Sequence, residues 1–118
     1  MDLRFSDMMQ MQQDLHQRHK GKWEPLTPDF GKVSMLYMVE ELGEVVAIVK
    51  KKGDHAVVED PDVRQAFLEE MADVMMYYTD TLLRYNVSAE EISNAYASKH
   101  DYNKQRDYTK EYEDKYHG

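Results

Sequence analysis

Two acidic pairs, Glu41 with Glu44 and Glu70 with Asp73, are each spaced i to i+3 inside otherwise apolar runs, "MVEELGEVVAIVK" and "FLEEMADVMMYYTDTLL". Residues three or four apart share one face of a helix, so each pair presents its carboxylates together along the edge of an apolar stripe. Tyr37, Glu41, Glu44 and Ile48 fall on the first such stripe, and Ala66, Glu70, Asp73 and Tyr77 on the second. Glu44 to Gly53 and Pro61 to Glu70 are both nine residues, about 13.5 Å of helix at 1.5 Å per residue. An antiparallel hairpin closed by the short segment between them therefore brings Glu70 level with Glu44, and Asp73 level with Glu41. Four carboxylates in one partly dehydrated volume raise one another's pKa and each resists leaving water. Protons or a cation must neutralise them. Oxygen-only ligands suit Mg²⁺, with Mn²⁺ as a possible substitute. A di-iron carboxylate bundle needs Glu-x-x-His pairs, and none of His16, His19, His55, His100 and His117 follows a Glu by three. The competing reading is a pair of solvated helix faces; the matched register and apolar flanks favour the cation site.

The elements that must hold these pairs follow from periodicity and from the few breakers, five Gly and three Pro. A first helix is expected from about Ser6, as N-cap, to His19, followed by the turn-like linker "KGKWEPLTPDFG". A second is expected from about Lys32 to Lys52, where three lysines meet the negative end of the dipole and Gly53 ends the helix. A third runs from Pro61, with Glu59, Asp60 and Asp62 at its positive end, to about Tyr85. A fourth starts at Ser88, with Glu91 three residues on as a capping box, and reaches at least Asn103. No segment alternates as a half-buried strand does. The expected fold is all-α, a four-to-five-helix bundle forming a single domain over residues 1–108, with 109–118 as a frayed helical or disordered tail.

The chain has 118 residues, a formal net charge of −8 and no cysteine. Disulfide and thiolate chemistry are excluded, and the negative charge opposes a nucleic acid polymer as partner. No apolar run approaches a membrane span and the first residues lack a signal-peptide pattern, so the expected setting is cytoplasmic and away from membranes. Nine Met and nine Tyr leave faces that a small bundle cannot cover, which favours a homodimer or homotetramer.

"EELGE" at Glu40 to Glu44, followed after 25 residues by Glu70-x-x-Asp73, resembles the EExxE…ExxD signature of the MazG-like nucleoside triphosphate pyrophosphohydrolases, in the all-α NTP pyrophosphatase superfamily. "KWEPLTP" is similar to the Trp-containing segment that precedes the first acidic pair in related enzymes, and "KHDYNKQRDY" to their Lys-x-x-x-Asn-x-x-Arg segment, so that the resemblance covers about residues 20 to 108. It departs from the family at Arg106-Asp107-Tyr108, where relatives often carry Arg-Tyr-Pro. The resemblance implies that a nucleoside triphosphate is hydrolysed between its α and β phosphorus, to monophosphate and pyrophosphate, by metal-activated water. Glu41, Glu44, Glu70 and Asp73 are then the metal ligands.

Other candidates each carry a plain rival. Glu40, about 100° round the helix from Glu41, serves the site edge as a general base or faces solvent. Lys51 meets a phosphate or answers the helix dipole. Lys99 and Asn103 grip phosphate oxygens, with Arg106 beyond them, or form an exposed face. Trp23 stacks on a base or closes the core. Gly43, costly in mid-helix, marks a close approach, most simply a helix crossing. The alternative function is an inactive helical nucleotide-binding or protein-interaction module.

Overall fold

A computed structural model describes residues 1–106 and 108–116. Asp107, where the family resemblance departs, and His117 and Gly118 of the tail lie outside the described residues. Among the described residues every regular element is helical: α1 (Phe5–Arg18), α2 (Gly31–Lys52), α3 (Asp54–Glu59), α4 (Pro61–Arg84), α5 (Ala89–Gln105) and α6 (Tyr108–Tyr116), with one turn of 3₁₀ helix at Pro28–Phe30. One isolated bridge joins Lys20 and Trp23. The protein is thus all-α, and no described helix is long and apolar enough to cross a membrane. The chain divides into two compact units, Met1–Ser88 and Ala89–Gly118; the second consists of α5 and α6.

The helix ends are set by local chemistry. α1 starts earlier than the Ser6 cap expected from sequence, because Asp7 in its first turn accepts the Arg4 backbone N–H at 3.1 Å and makes Arg4 the N-cap. α2 stops at Gly53, whose φ of +92° suits a residue without Cβ and whose N–H closes on the Val49 carbonyl at 2.7 Å. Asp60 caps α4, its Oδ1 accepting from the Asp62 and Val63 amides at 3.0 and 3.4 Å, with Pro61 in the first turn. The segment expected as a loop between the two long helices is instead the six-residue α3.

α2 and α4 pair antiparallel, as the register of their contacts shows. The Tyr85 ring lies against the Cα of the buried Gly31. Ser34 Oγ lies 2.9 Å from Thr81 Oγ1, and the Tyr37 and Tyr77 rings are 5.7 Å apart. Arg84 Nη1 donates to the Phe30 carbonyl at 2.7 Å and ties the start of α2 to the end of α4. α1 packs on α4. The buried apolar residues are few, Met9, Val45 and Val63, whereas Gln12, His16, Ser34, Thr79, Asp80, Thr81 and Arg84 are buried and polar. The centre of this unit is therefore held largely by hydrogen bonds, with much of its apolar surface outside.

Candidate functional site

The hairpin register brings one carboxylate oxygen each from Glu41, Glu44 and Glu70 within 4.8 Å of one another. Oε2 of Glu41 and Oε2 of Glu70 are enclosed and have no hydrogen-bond partner. The crowding shifts protons. Glu44 is held above the ordinary carboxylate range, first by the close approach of the Glu70 carboxylate, then by the Glu70 charge and desolvation. Glu70 is raised first by the close approach of the Glu41 carboxylate, with Glu44 acting in the opposite direction, then by desolvation and by the charges of Glu41 and Asp73. Asp73 stands beside this trio, since its charge acts on Glu44, Glu70 and Tyr77, but it is not one of the three whose oxygens converge. Tyr77 is itself raised, by burial first and then by Glu41 and Asp73.

Glu41 and Asp73 form one end of a cavity of about 490 Å³ whose walls include Trp23, Tyr37 and Tyr77. Trp23 is held by two histidines: His19 stacks on it at 4.4 Å between centroids, and His16 meets it edge-on at 5.1 Å. The far end of the cavity is formed by Gln12, His16, Asp80 and Arg84. There Asp80, 3% exposed, accepts from Gln12 Nε2 at 3.2 Å and Ser34 Oγ at 2.8 Å and contacts His16 Nε2. Arg84 Nε lies 2.9 Å from Asp80 Oδ2, a charge contact whose N–H is not aligned as a hydrogen bond.

Of the remaining sequence candidates, Glu40 is exposed on α2 and absent from the cavity wall, and Lys51 is exposed in the last turn of α2. Lys99, Asn103 and Arg106 belong to the second unit. Lys99 Nζ sits 5.0 Å from the Tyr102 ring, Arg106 lies over the same ring and pairs with Glu111, and Asn103 Oδ1 is enclosed without a partner. Among the described residues of its own unit nothing approaches a Cβ built on Gly43 within 4 Å, so no described helix of that unit crosses there, contrary to the expectation from its mid-helix position.

No protein family, curated protein or solved structure matches the chain.

Sequence reasoning missed Asp80 and its partners. The available signal was spacing: Asp73, Tyr77, Asp80 and Arg84 recur at three or four residues along α4 and continue the acidic stripe into the cavity floor.

Proposed function

We propose that the protein is a MazG-like pyrophosphohydrolase, an all-α enzyme that hydrolyses a nucleoside triphosphate and water to a nucleoside monophosphate and pyrophosphate, with Mg²⁺ as cofactor and Mn²⁺ as a possible substitute. The observation that carries this reading is the convergence of Glu41, Glu44 and Glu70 with two enclosed oxygens left unpartnered. An all-oxygen donor set of this kind fits a hard divalent cation. When bound, Mg²⁺ supplies the positive charge that an acidic protein lacks for a triphosphate and withdraws charge from the bridge that breaks. Glu41, Glu44 and Glu70 hold it and Asp73 completes the set from the adjoining wall. Glu40, open to solvent one residue before Glu41, takes the proton of the attacking water in this reading. Trp23, Tyr37 and Tyr77 line the space beside the carboxylates and offer ring faces to base and sugar.

The same reading includes a homodimer or homotetramer. Leu36, Val39 and Val46, exposed by 58%, 63% and 50%, run with Gly43 along one stripe of α2, an apolar surface of the kind that subunit contacts cover.

The test is a panel of nucleoside triphosphates incubated with Mg²⁺, with pyrophosphate, monophosphate and diphosphate all quantified. Monophosphate and pyrophosphate in equal amounts are expected, and Ala at Glu41, Glu44, Glu70 or Asp73 is expected to remove most turnover. Diphosphate as product would move the attack to the γ-phosphorus and overturn the proposal.

A further inference from the structure

Behind the cavity, four methionines gather where α1 meets α4. Met8 and Met11 from α1 and Met75 and Met76 from α4 line one groove of about 330 Å³. Met11, Met75 and Met76 are exposed by 57%, 47% and 50%, so solutes reach them, whereas Met9 on the packed side of α1 is exposed by 5%. Met76 also belongs to the site: with Gln12 and Leu15 it lines both the groove and the cavity of about 490 Å³, and so forms part of the partition between them. The joint matters to α1. Within its unit α1 packs on α4 alone, and Met9 is its one buried apolar residue. The rest of its attachment is the Phe5 ring edge-on to Tyr78 at 6.0 Å, the contacts of Gln12 and His16 with Asp80, and the methionines of the groove.

We propose that this groove is a methionine oxidation site with Met76 as its decisive residue: a peroxide converts Met76 to the sulfoxide, α1 loosens from α4, and the cavity loses the wall that α1 supplies. In the step, a sulfur lone pair attacks one peroxide oxygen. The S–O bond forms as the O–O bond breaks, and the departing hydroxide takes the proton of the transferred oxygen and leaves as water. Sulfur is thereby oxidised by two electrons and the peroxide reduced. A thioether fills an irregular groove because it is flexible and polarisable. The sulfoxide is polar and chiral, and holding its oxygen against mainly apolar walls is unfavourable. Methionine sulfoxide reductases, one for each epimer, reverse the change. Loosening of α1 carries Gln12, Leu15 and His16 away from the cavity together, whatever ligand the cavity takes, so the inference stands apart from the pyrophosphohydrolase reading.

The test treats the full chain with hydrogen peroxide to graded extents, maps sulfoxides by peptide mass spectrometry, and then follows amide hydrogen exchange. Met76 is expected to convert well before Met9. Exchange in α1 is expected to accelerate by about tenfold or more while the middle of α4 is unchanged, and treatment with the reductases should restore the slow exchange. Met76→Leu keeps apolar bulk without sulfur, and its α1 should stay slow through the same oxidation. Met76→Gln places a polar end of similar length at the position, and should show fast α1 exchange with no oxidant present. A Met76 that stays reduced until Met9 is attacked overturns the modification. Unchanged α1 exchange after Met76 has converted, or equal acceleration in Met76→Leu, overturns the coupling. Acceleration that extends equally through α2 and α4 is general unfolding, and overturns the claim that the joint is local.

Discussion

Asp80→Ala is expected to be among the most damaging single substitutions in the protein. Asp80 and Arg84 both have side chains 4% exposed and lie one helical turn apart, at 2.9 Å between Oδ2 and Nε. Removing the carboxylate leaves a guanidinium buried without compensation, a change that costs about 3–5 kcal/mol. It also strips the acceptor from Gln12, His16 and Ser34. With a urea dependence of about 1–1.5 kcal/mol per molar for a protein of this size, the unfolding midpoint should fall by roughly 2–5 M. A domain whose whole stability is about 5–15 kcal/mol thus loses about a fifth or more of it. The informative comparison is the double variant Asp80→Leu with Arg84→Met. Replacing both members of a buried pair by apolar residues is often close to neutral, so the double variant should recover most of what the single one loses. Equilibrium unfolding by far-UV circular dichroism measures all three proteins. A loss below about 1 kcal/mol in Asp80→Ala, or losses that simply add in the double variant, would refute the claim that this pair is buried and coupled.

Glu44 and Glu70 are both raised above the ordinary value of 4.5, so the folded state binds more protons than the unfolded chain, and their contribution to stability falls as pH rises from 4.5 through the raised values. In metal-free buffer, Glu44→Gln with Glu70→Gln should therefore gain on the parent as pH climbs toward neutrality; a parent that gains instead would reverse the sign of the argument. Mg²⁺ at about a hundred times its dissociation constant should stabilise the parent by about 2.7 kcal/mol, read as a melting shift, with little shift in Glu41→Gln plus Glu70→Gln; equal shifts would place the ion elsewhere. Gly43→Ala adds a methyl that meets nothing among the described residues of its unit and should raise unfolding free energy by about 0.5–1 kcal/mol in dilute solution. A loss that grows with protein concentration would instead place a subunit contact at that position.

The helices of this protein were legible because their ends are chemical. The lysines at 50–52 before Gly53, and Asp60 before Pro61, stop and start α2 and α4 where the sequence places those events. The convergence of Glu41, Glu44 and Glu70 was legible for the same reason, because two known ends and a fixed rise per residue determine which side chains come level. α3 was not: six residues carry too little periodicity to separate a short helix from a loop. Asp80 was hidden differently. Its partners Gln12 and His16 are 68 and 64 residues away, and no spacing rule within one helix announces a contact with another. The same limit applies to Gly43, where the helix crossing inferred from type alone has no counterpart among the described helices of its unit.

The distances in sequence that hid Asp80 also order events in time. Glu44 and Glu70 are separated by 26 residues and meet within one local hairpin, whereas the far end of the cavity exists only after α1 has returned across more than twice that length of chain to reach α4. Loop closure favours the nearer contact, so the hairpin of α2 and α4 should form first and α1 should dock onto it afterwards. The carboxylates would then be crowded together before the floor that faces them is complete. In pulsed hydrogen exchange during refolding, the amides in the middle of α2 and α4 should become protected ahead of those of α1; simultaneous protection would show that the three helices condense in a single step.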